Sequence, residues 1–497
     1  MKNPLANDER RSATTSTPTV WTRKAKATNS KPATTTMPPT ATPQTVRTDH
    51  SIVARVRVGR AVLTARHPRT LPHRDAATNR GRPWRTLITR CGPGLITGAS
   101  DDDPSGIATY SQAGSLFGVD LLWTLLCSYP LMGGIQEISA RIGIVTGRGL
   151  AGNLRQHFPK AALVGVVCIL LAANVINIGA DIGAMAAVLR MLFGGSAVGY
   201  IVAVGAFSAL LEVFVPYHRY VPLLKWLCLA LFGYVGVAFA VQIPWADVVR
   251  GTVVPSVHWT PTMVTTVVAI LGTTISPYLF FWQASEEVEE QQLEPGEAPL
   301  KYAPEQADRL SRVELDTWFG MAVSSIVAFF VMLTAAVVFH SHGIQGIQTT
   351  AQAAEALRPI AGRFAHALFS LGIVGTGLLA LPVLAGSAAY AVGEALQWPT
   401  GLEKSPRSAL RFYLLIAIAT VGGIVLNIFH FDPIRALFWS AVINGVASAP
   451  IMVAIMLLAT RPAVMGEFIL PRRLQLLGWT ATLVMTGMAV AFFSTLR

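Results

Sequence analysis

One apolar segment of the chain is interrupted by acidic, proline and glycine residues. It runs Gly92-Pro93-Gly94-Leu95-Ile96-Thr97-Gly98-Ala99-Ser100-Asp101-Asp102-Asp103-Pro104-Ser105-Gly106, and the apolar pattern resumes after Gly106. Carboxylates inside a membrane-length apolar segment are costly and usually functional. Pro104 and Gly106 interrupt the helical hydrogen-bond ladder, and the carbonyls thus freed are tolerated only inside protein or along a cavity. The stretch therefore predicts a discontinuous membrane helix that lines a site.

A second apolar segment carries the same kind of interruption. It runs Leu271-Gly272-Thr273-Thr274-Ile275-Ser276-Pro277-Tyr278, with Pro277 as the helix-breaking residue. The two breaks lie in the first and sixth apolar segments, which are corresponding members of two five-helix halves. Such a pair points to a midplane substrate site in an inverted-repeat transporter. The alternative is two proline kinks, with the acidic residues in a water-exposed loop.

Composition supports a membrane protein. Of the 497 residues, 52% are apolar and only 13% are charged, whereas a soluble domain usually has about 25% charged residues. The mean hydropathy is +0.49. The four cysteines lie in or beside apolar runs without metal-ligand spacing, which argues against a disulfide scaffold or a zinc site. An ordinary soluble enzyme is therefore excluded, and no Walker, HExxH or nucleophile motif indicates an enzyme of another kind.

We divide the chain at residue 86. Residues 1–85 are predicted to be a disordered, basic, Thr/Pro-rich cytoplasmic tail, either a polybasic arm for anionic lipid or a dispensable leader. Residues 86–497 are predicted to form the transmembrane domain, because a helix needs about 20 apolar residues to cross the bilayer. Its eleven predicted spans lie near 88–117, 119–142, 161–189, 194–215, 221–243, 262–285, 313–339, 364–394, 409–429, 434–459 and 474–496.

The distribution of basic residues predicts the orientation. Residues 1–90 hold 18 of the 39 Lys and Arg residues but only 4 of the 27 Asp and Glu residues, so the net charge of +12 belongs to the tail and does not indicate nucleic-acid binding. With the amino terminus inside, the inside loops carry 15 Lys and Arg residues and the outside loops and carboxyl end carry 6. This bias predicts a multi-pass protein of the inner (plasma) membrane with a cytoplasmic amino terminus and an outside carboxyl terminus.

The motifs resemble those of the Nramp family of divalent metal transporters. They are Gly92-Pro93-Gly94, Asp103-Pro104 in the broken first helix, and Ala140-Arg141-Ile142-Gly143-Ile144-Val145-Thr146-Gly147-Arg148 after the second span. The similarity extends over roughly 90–460. It implies an all-α integral membrane protein with a LeuT-type fold: two inverted five-helix repeats, an eleventh helix, and discontinuous helices 1 and 6.

The chain departs from the family at the residues that the resemblance assigns to the metal. The family's first break has the motif Asp-Pro-Gly-Asn, whose Asp and Asn bind metal; here Asp103 is kept and Gly106 replaces the Asn. The family's Met-Pro-His motif in helix 6 is Ser276-Pro277-Tyr278, so the thioether and the imidazole are both lost. The family's acidic pair in helix 3 is reduced to Asp181, with Ala184 at the partner position. We therefore expect a divergent, Nramp-related member.

These changes leave oxygen donors for a cation. The predicted ligands are the Asp103 carboxylate, carbonyls near Ser100 and Thr274, the Ser276 hydroxyl, and Asp102. Oxygen ligands suit Mg²⁺, Mn²⁺ or Ca²⁺, and Mg²⁺ usually keeps several waters. Asp101 and Asp102 either strengthen the field on the cation or serve locally in the turn and as a helix cap, and the sequence leaves both open.

Two further predictions concern proton movement and gating. Asp181 is either a proton acceptor or a buried, hydrogen-bonded structural carboxylate. Because an acidic residue and the His are missing, we expect transport without strict proton coupling. Arg141 either closes a cytoplasmic gate with Glu137, which lies one helical turn earlier, or simply anchors the helix on the inside.

The sequence thus predicts a secondary transporter that imports a divalent cation, with Mg²⁺ and Mn²⁺ favoured, by alternating access. The cation is substrate, and no bound cofactor is predicted; the partners are divalent metal ions and the lipid bilayer, not nucleic acid. Two alternatives stay open. One is a LeuT-fold transporter of a small organic solute, although three aspartates at the break would repel an anion. The other is a non-transporting metal sensor.

Overall fold

The computed structural model describes residues 93–216, 219, 226, 229–293, 303–427 and 432–496, so the predicted tail of residues 1–85 lies outside the described residues. The described residues form helices and no β-strands. Short 3₁₀ helices occupy Leu229–Leu231, His340–His342, Glu355–Leu357, Gly362–Phe364 and Gly466–Phe468. The α-helices are α1 (Pro93–Asp101), α2 (Pro104–Phe117), α3 (Leu122–Thr146), α4 (Leu150–His157), α5 (Lys160–Phe193), α6 (Ala197–Phe214), α7 (Phe232–Ala240), α8 (Trp245–Val253), α9 (Pro261–Thr274), α10 (Pro277–Leu293), α11 (Ala303–Val338), α12 (Thr350–Ala354), α13 (Arg358–Ala361), α14 (Ala365–Leu396), α15 (Leu410–Leu426), α16 (Pro433–Ala459), α17 (Pro462–Met465) and α18 (Arg472–Thr495).

The described residues of each of the eleven predicted spans include helix. Residues 88–92 of the first span, 221–225, 227 and 228 of the fifth, and 428 and 429 of the ninth lie outside the described residues. Seven helical stretches of the described residues are long and apolar enough to cross a membrane by length and composition. The other predicted spans correspond to the α1–α2 pair, α3, α7 and α15, which are shorter or less apolar. The seven stretches are Lys160–Phe193, Ala197–Phe214, Pro261–Gln292, Arg309–His342, Thr350–Leu396, Pro433–Ala459 and Arg472–Thr495.

The first predicted break separates α1 from α2. α1 ends at Asp101, and α2 begins at Pro104 with Asp103 as its N-cap in extended conformation (φ −68°, ψ 171°). The Asp103 carboxylate accepts a hydrogen bond from the backbone N–H of Gly106 at 2.8 Å, which satisfies one of the free donors at the start of α2. Pro104 stands at a helix start, where its missing N–H costs nothing. Asp103, which the sequence predicts to be a ligand, therefore also sets the position of the helix break.

The second predicted break separates α9 from α10. α9 ends at Thr274 and α10 begins at Pro277. Between them, the carbonyl of Ile275 has left the helical ladder and accepts a hydrogen bond from the hydroxyl of Ser448 on α16 at 2.6 Å. A neighbouring helix therefore satisfies the freed carbonyl, as an interior break requires.

Glycines allow other helices to pack closely against the two broken ones. A Cβ atom on Gly98 of α1 would lie 2.3 Å from the carbonyl oxygen of Gly320 on α11, and one on Gly272 of α9 would lie 2.0 Å from that of Ala441 on α16. Small residues at such crossings are typical of membrane helices, because packing and not the hydrophobic effect holds them together. This packing holds both breaks inside the helical assembly, where Asp103 is only 1% exposed.

Candidate functional site at the helix breaks

The Asp103 carboxylate is the centre of the site. Its Oδ1 accepts hydrogen bonds from the Ser105 hydroxyl at 2.6 Å and from the Gly106 N–H at 2.8 Å. Its Oδ2 accepts one from the Asn177 amide at 2.9 Å and a longer one from the Tyr278 hydroxyl at 3.4 Å. The donors on Oδ1 belong to α2 itself, whereas those on Oδ2 come from α5 and α10. Oδ2 is therefore the atom at which three helical segments meet.

Tyr278 joins the two breaks. Its hydroxyl lies 3.3 Å from the Ser100 carbonyl oxygen and 3.4 Å from Asp103 Oδ2, so one O–H group faces both acceptors. The side chain is fully buried. From the sequence alone, Tyr278 indicates only that the imidazole of the family motif is lost. In the structure its phenol contacts the central carboxylate.

The hydroxyl groups of Ser100, Thr274 and Ser276 donate their protons to their own helices, although only the Ser276 hydroxyl was predicted as a ligand and the prediction for Ser100 and Thr274 concerned nearby carbonyls. Ser100 Oγ donates to the Ile96 carbonyl at 2.9 Å. The hydroxyls of Thr274 and Ser276 donate to carbonyls four residues earlier, at 3.0 and 2.9 Å. A hydroxyl oxygen that donates its proton still has lone pairs for a cation, so these bonds are compatible with the predicted ligand role.

Asp101 and Asp102 turn towards α11. The Ser324 hydroxyl lies 2.6 Å from Asp101 Oδ2 and 3.2 Å from Asp102 Oδ1. All three residues are buried. Neither aspartate caps α2, because that position belongs to Asp103. The structure thus groups the predicted ligand Asp102 with Asp101 at Ser324, apart from the hydrogen-bonded set around Asp103.

α5 presents a line of buried polar residues to the site. Asn174, Asn177 and Asp181 follow one another at spacings of three and four and so share one helical face. Asn174 donates to the Leu384 carbonyl at 2.9 Å and to the Ser387 hydroxyl of α14 at 2.8 Å. Neither oxygen of the Asp181 carboxylate has a hydrogen-bond partner among the described residues.

The site is rich in acceptor oxygen, and the described residues provide no basic side chain that pairs with it. Within the described ranges, no Lys or Arg forms an ion pair with Asp101, Asp102, Asp103 or Asp181. No group of three or more His, Cys, Asp or Glu side chains in the same ranges is arranged to hold a metal ion. A cation at Asp103 would therefore be bound by one or two carboxylates together with neutral oxygen donors.

The predicted gate pair is present. Arg141 Nε lies 2.6 Å from Glu137 Oε1, and an Arg141 terminal nitrogen lies 3.2 Å from Glu314 on α11. The second oxygen of Glu137 accepts a hydrogen bond from the Trp318 indole at 2.8 Å. These contacts tie α3 to α11, and their role in gating stays a prediction.

A second polar link starts at Gln136, the residue that precedes Glu137 on α3. Gln136 donates to the Leu279 carbonyl at 2.8 Å and to the Gln283 side-chain oxygen at 2.6 Å. Gln283 in turn donates to the Thr317 hydroxyl at 2.7 Å. The two links together connect α3, α10 and α11 on one side of the breaks.

A cavity of about 760 Å³ lies elsewhere, beyond the carboxyl ends of α2 and α11. It contains none of the residues around Asp103, so its size does not make it the substrate site. Its polar lining includes Asp120, Gln242, Asp247, Arg250, His340 and His342.

Two discontinuous membrane helices that meet at a buried carboxylate define the class: a multi-pass membrane transporter of the LeuT-type fold. The model of the family described as natural resistance-associated macrophage protein-like matches residues 94–495. The chain therefore belongs to the Nramp family, as its motifs predicted, and members of this family are transporters and not enzymes.

Individual relatives agree with the family assignment. The divalent metal cation transporter MntH of Klebsiella pneumoniae (strain 342) is 25% identical over 420 residues, which cover 81% of this chain and 93% of that protein. A crystal structure of the Eremococcus coleocola manganese transporter has a TM-score of 0.66 at 18% identity and covers 83% of this chain and 87% of that one. The inward-facing structure of Mhp1 has a TM-score of 0.50 at 15% identity and covers 81% of this chain and 90% of that one. The structural matches confirm the predicted fold class.

Proposed function

We propose that this protein imports a divalent metal cation across the plasma membrane, with Asp103 as the principal ligand. The observation that carries the proposal is a fully buried carboxylate at the junction of two broken helices, without a basic partner among the described residues. A buried anion is costly unless it is paired or coordinates a metal. A transported cation supplies that partner, and an organic anion does not.

The donor set favours a hard cation. Asp103, the Ser100 carbonyl and the hydroxyls of Thr274 and Ser276 offer oxygen alone, and the phenol of Tyr278, where the resemblance predicts an imidazole, donates a hydrogen bond to Asp103. Oxygen ligands suit Mg²⁺ and Mn²⁺, whereas a thioether favours softer metals. The curated relative MntH and the Eremococcus coleocola protein, named as divalent metal and manganese transporters, support the same substrate class.

Transport is proposed to proceed by alternating access. Because Asp103 is buried, the helices around it must move apart on each side in turn to load and release a cation. In the proposed orientation, with the amino terminus cytoplasmic, the Arg141–Glu137 pair and the Gln136–Gln283 link close the inner side. Asp102, whose carboxylate faces Ser324, is proposed to add negative charge to the field on the cation.

Proton coupling is proposed to be weak. The resemblance assigns proton movement to an acidic pair and a histidine, and only Asp181 remains of these. Its carboxylate is buried without a hydrogen-bond donor among the described residues, which favours a role with a proton or a cation over a hydrogen-bonded structural role.

Uptake into proteoliposomes tests the proposal. Wild-type protein is compared with Asp103→Asn, which keeps the side-chain shape but removes the charge, and with Glu355→Gln, a control at an ion pair away from the breaks. Saturable uptake of Mg²⁺ or Mn²⁺ by the wild type and the control, lost in Asp103→Asn, supports the function. If the wild type takes up neither cation nor Ca²⁺, the proposed function is wrong.

A further inference from the structure

We infer that Asn177 is a cation ligand, supplied by α5 in place of the amide that Gly106 has removed from the first break. This inference rests on the proposed function and adds a ligand that the sequence comparison did not indicate. The observation behind it is that the Asn177 amide oxygen is buried and has no hydrogen-bond partner among the described residues. An amide oxygen is a good ligand for a hard divalent cation.

The spacing of the two side chains fits a shared cation. The Asn177 amide nitrogen lies 2.9 Å from Asp103 Oδ2. Two neighbouring ligands of an octahedral Mg²⁺ with bonds of about 2.0–2.1 Å are about 2.9 Å apart. Rotation of the amide by half a turn exchanges its nitrogen and oxygen at nearly the same position. It would place Oδ1 beside Asp103 Oδ2 at this ligand-to-ligand distance.

The rotation needs no movement of the backbone. The terminal torsion of an asparagine is broad and roughly two-fold. Asn177 then has two complementary states: as a donor it neutralises part of the Asp103 charge, and as an acceptor it helps to bind the cation. The same side chain thus stabilises the carboxylate before and after the substrate arrives.

The surroundings of Asn177 favour this role over a purely structural one. The Asn174 amide oxygen, one turn earlier, is also buried without a partner among the described residues, but the Asn174 nitrogen donates to two acceptors on α14 and not to Asp103. Asn177 instead faces the central carboxylate, and Asp181, one turn later, adds two more unpartnered oxygens on the same face. None of these acceptors has a basic partner among the described residues.

Leucine and cysteine substitutions test the ligand role in the full-length protein in proteoliposomes. Asn177→Leu removes the oxygen at similar volume and is expected to raise the KM for Mg²⁺ or Mn²⁺ about tenfold, the factor that corresponds to about 1.4 kcal/mol. Asn177→Cys replaces a hard ligand with a soft one. It is expected to make Cd²⁺ inhibit uptake at least about tenfold more strongly, because thiolates prefer soft metals.

Matched changes at Asn174 separate a ligand from a structural amide. Asn174→Leu and Asn174→Cys remove a buried amide from the same face of α5, and the Cys variant is expected to leave the Cd²⁺ sensitivity at the wild-type value. If Asn177→Leu does not fold, Asn177→Ala has the same expected KM. Equal Cd²⁺ sensitivity of the two Cys variants, or an unchanged KM in the Leu or Ala variant, overturns the inference. A wild type that transports no divalent cation overturns the proposed function instead.

Discussion

The Tyr278 hydroxyl lies 3.4 Å from Oδ2 of Asp103 and 3.3 Å from the Ser100 carbonyl, so α10 contacts both sides of the break between α1 and α2. The position of the metal-binding imidazole in the resemblance is thus occupied by a hydrogen-bond donor to the main carboxylate. A cation bound to Asp103 Oδ2 must displace the Tyr278 hydroxyl from this oxygen or bind the oxygen together with it. Tyr278 therefore influences how strongly the site holds its substrate.

Tyr278→Phe tests this competition. Removal of the hydroxyl is expected to lower the KM for the transported cation about two- to tenfold, the effect of removing a competing hydrogen bond worth about 0.5–1.5 kcal/mol. The measurement is the concentration dependence of initial uptake in proteoliposomes. A higher KM in the Phe variant would show instead that the phenol oxygen is itself a ligand.

Arg141→Ala is expected to destabilise the protein and slow uptake. It leaves the buried Glu137 carboxylate with the Trp318 indole as its one remaining partner among those described, and breaking a buried ion pair costs up to about 3–5 kcal/mol. Because Arg141 is 15% exposed, we expect a loss at or below the lower end of that range. The readouts are the melting temperature in detergent and the uptake rate.

Glu314→Gln is the matched control for the gate. Glu314 contacts the same arginine but is 50% exposed, so its loss should cost no more than about 1 kcal/mol. Equal effects of Arg141→Ala and Glu314→Gln on both readouts would mean that the Glu137 contact has no special importance.

Gly272→Ala tests the close packing of α9 against α16. The added methyl group would lie 2.0 Å from the Ala441 carbonyl oxygen and 2.4 Å from the Gly445 nitrogen, so the helices must separate. Overpacking of this kind typically costs about 1–3 kcal/mol. We expect a lower melting temperature and reduced uptake.

Gly487→Ala on α18 is the control, because a Cβ atom at Gly487 meets nothing within 4 Å. It should leave the protein unchanged or stabilise it by up to about 1 kcal/mol through higher helix propensity. A Gly272→Ala variant as stable as Gly487→Ala would contradict the packing described for the second break.

Proton movement is expected to be small during cation uptake. Of the residues that the resemblance assigns to proton movement, this chain keeps Asp181 and lacks the second acidic residue and the histidine. We therefore do not expect a fixed ratio of protons to metal ions. A pH-sensitive dye inside the proteoliposomes measures the flux that accompanies Mg²⁺ or Mn²⁺ entry. A constant proton-to-metal ratio that disappears in Asp181→Asn would show that a single carboxylate is sufficient for strict coupling.

The sequence predicted the two breaks because their signals are local. Prolines and aspartates inside apolar runs violate the membrane pattern at Asp103-Pro104 and at Ser276-Pro277, and the structure ends and restarts the helices there. The Arg141–Glu137 contact also followed from helical spacing alone. Short amphipathic helices such as α4 and α8 were not predicted, because helices of eight and nine residues do not contain the long apolar run that indicates a membrane span.

The partners of Asp103 Oδ2 could not be predicted because they come from distant parts of the chain. Asn177 and Tyr278 are 74 and 175 residues away from Asp103, and a single polar residue in an apolar helix does not indicate which helix it faces. A signal was nevertheless present. The spacing of Asn174, Asn177 and Asp181 places three polar side chains on one face of a helix that is otherwise apolar, which indicates that this face is directed at protein and not at lipid.

Calorimetric titration of the purified protein with Mg²⁺ and Mn²⁺ tests most directly whether Asp103 is the principal cation ligand. We expect saturable binding of one cation per chain to the wild type, with binding lost in Asp103→Asn and retained in Glu355→Gln. Binding to Asp103→Asn with wild-type affinity would show that Asp103 is not the principal ligand, because the cation would then be held at a site that does not depend on the buried carboxylate.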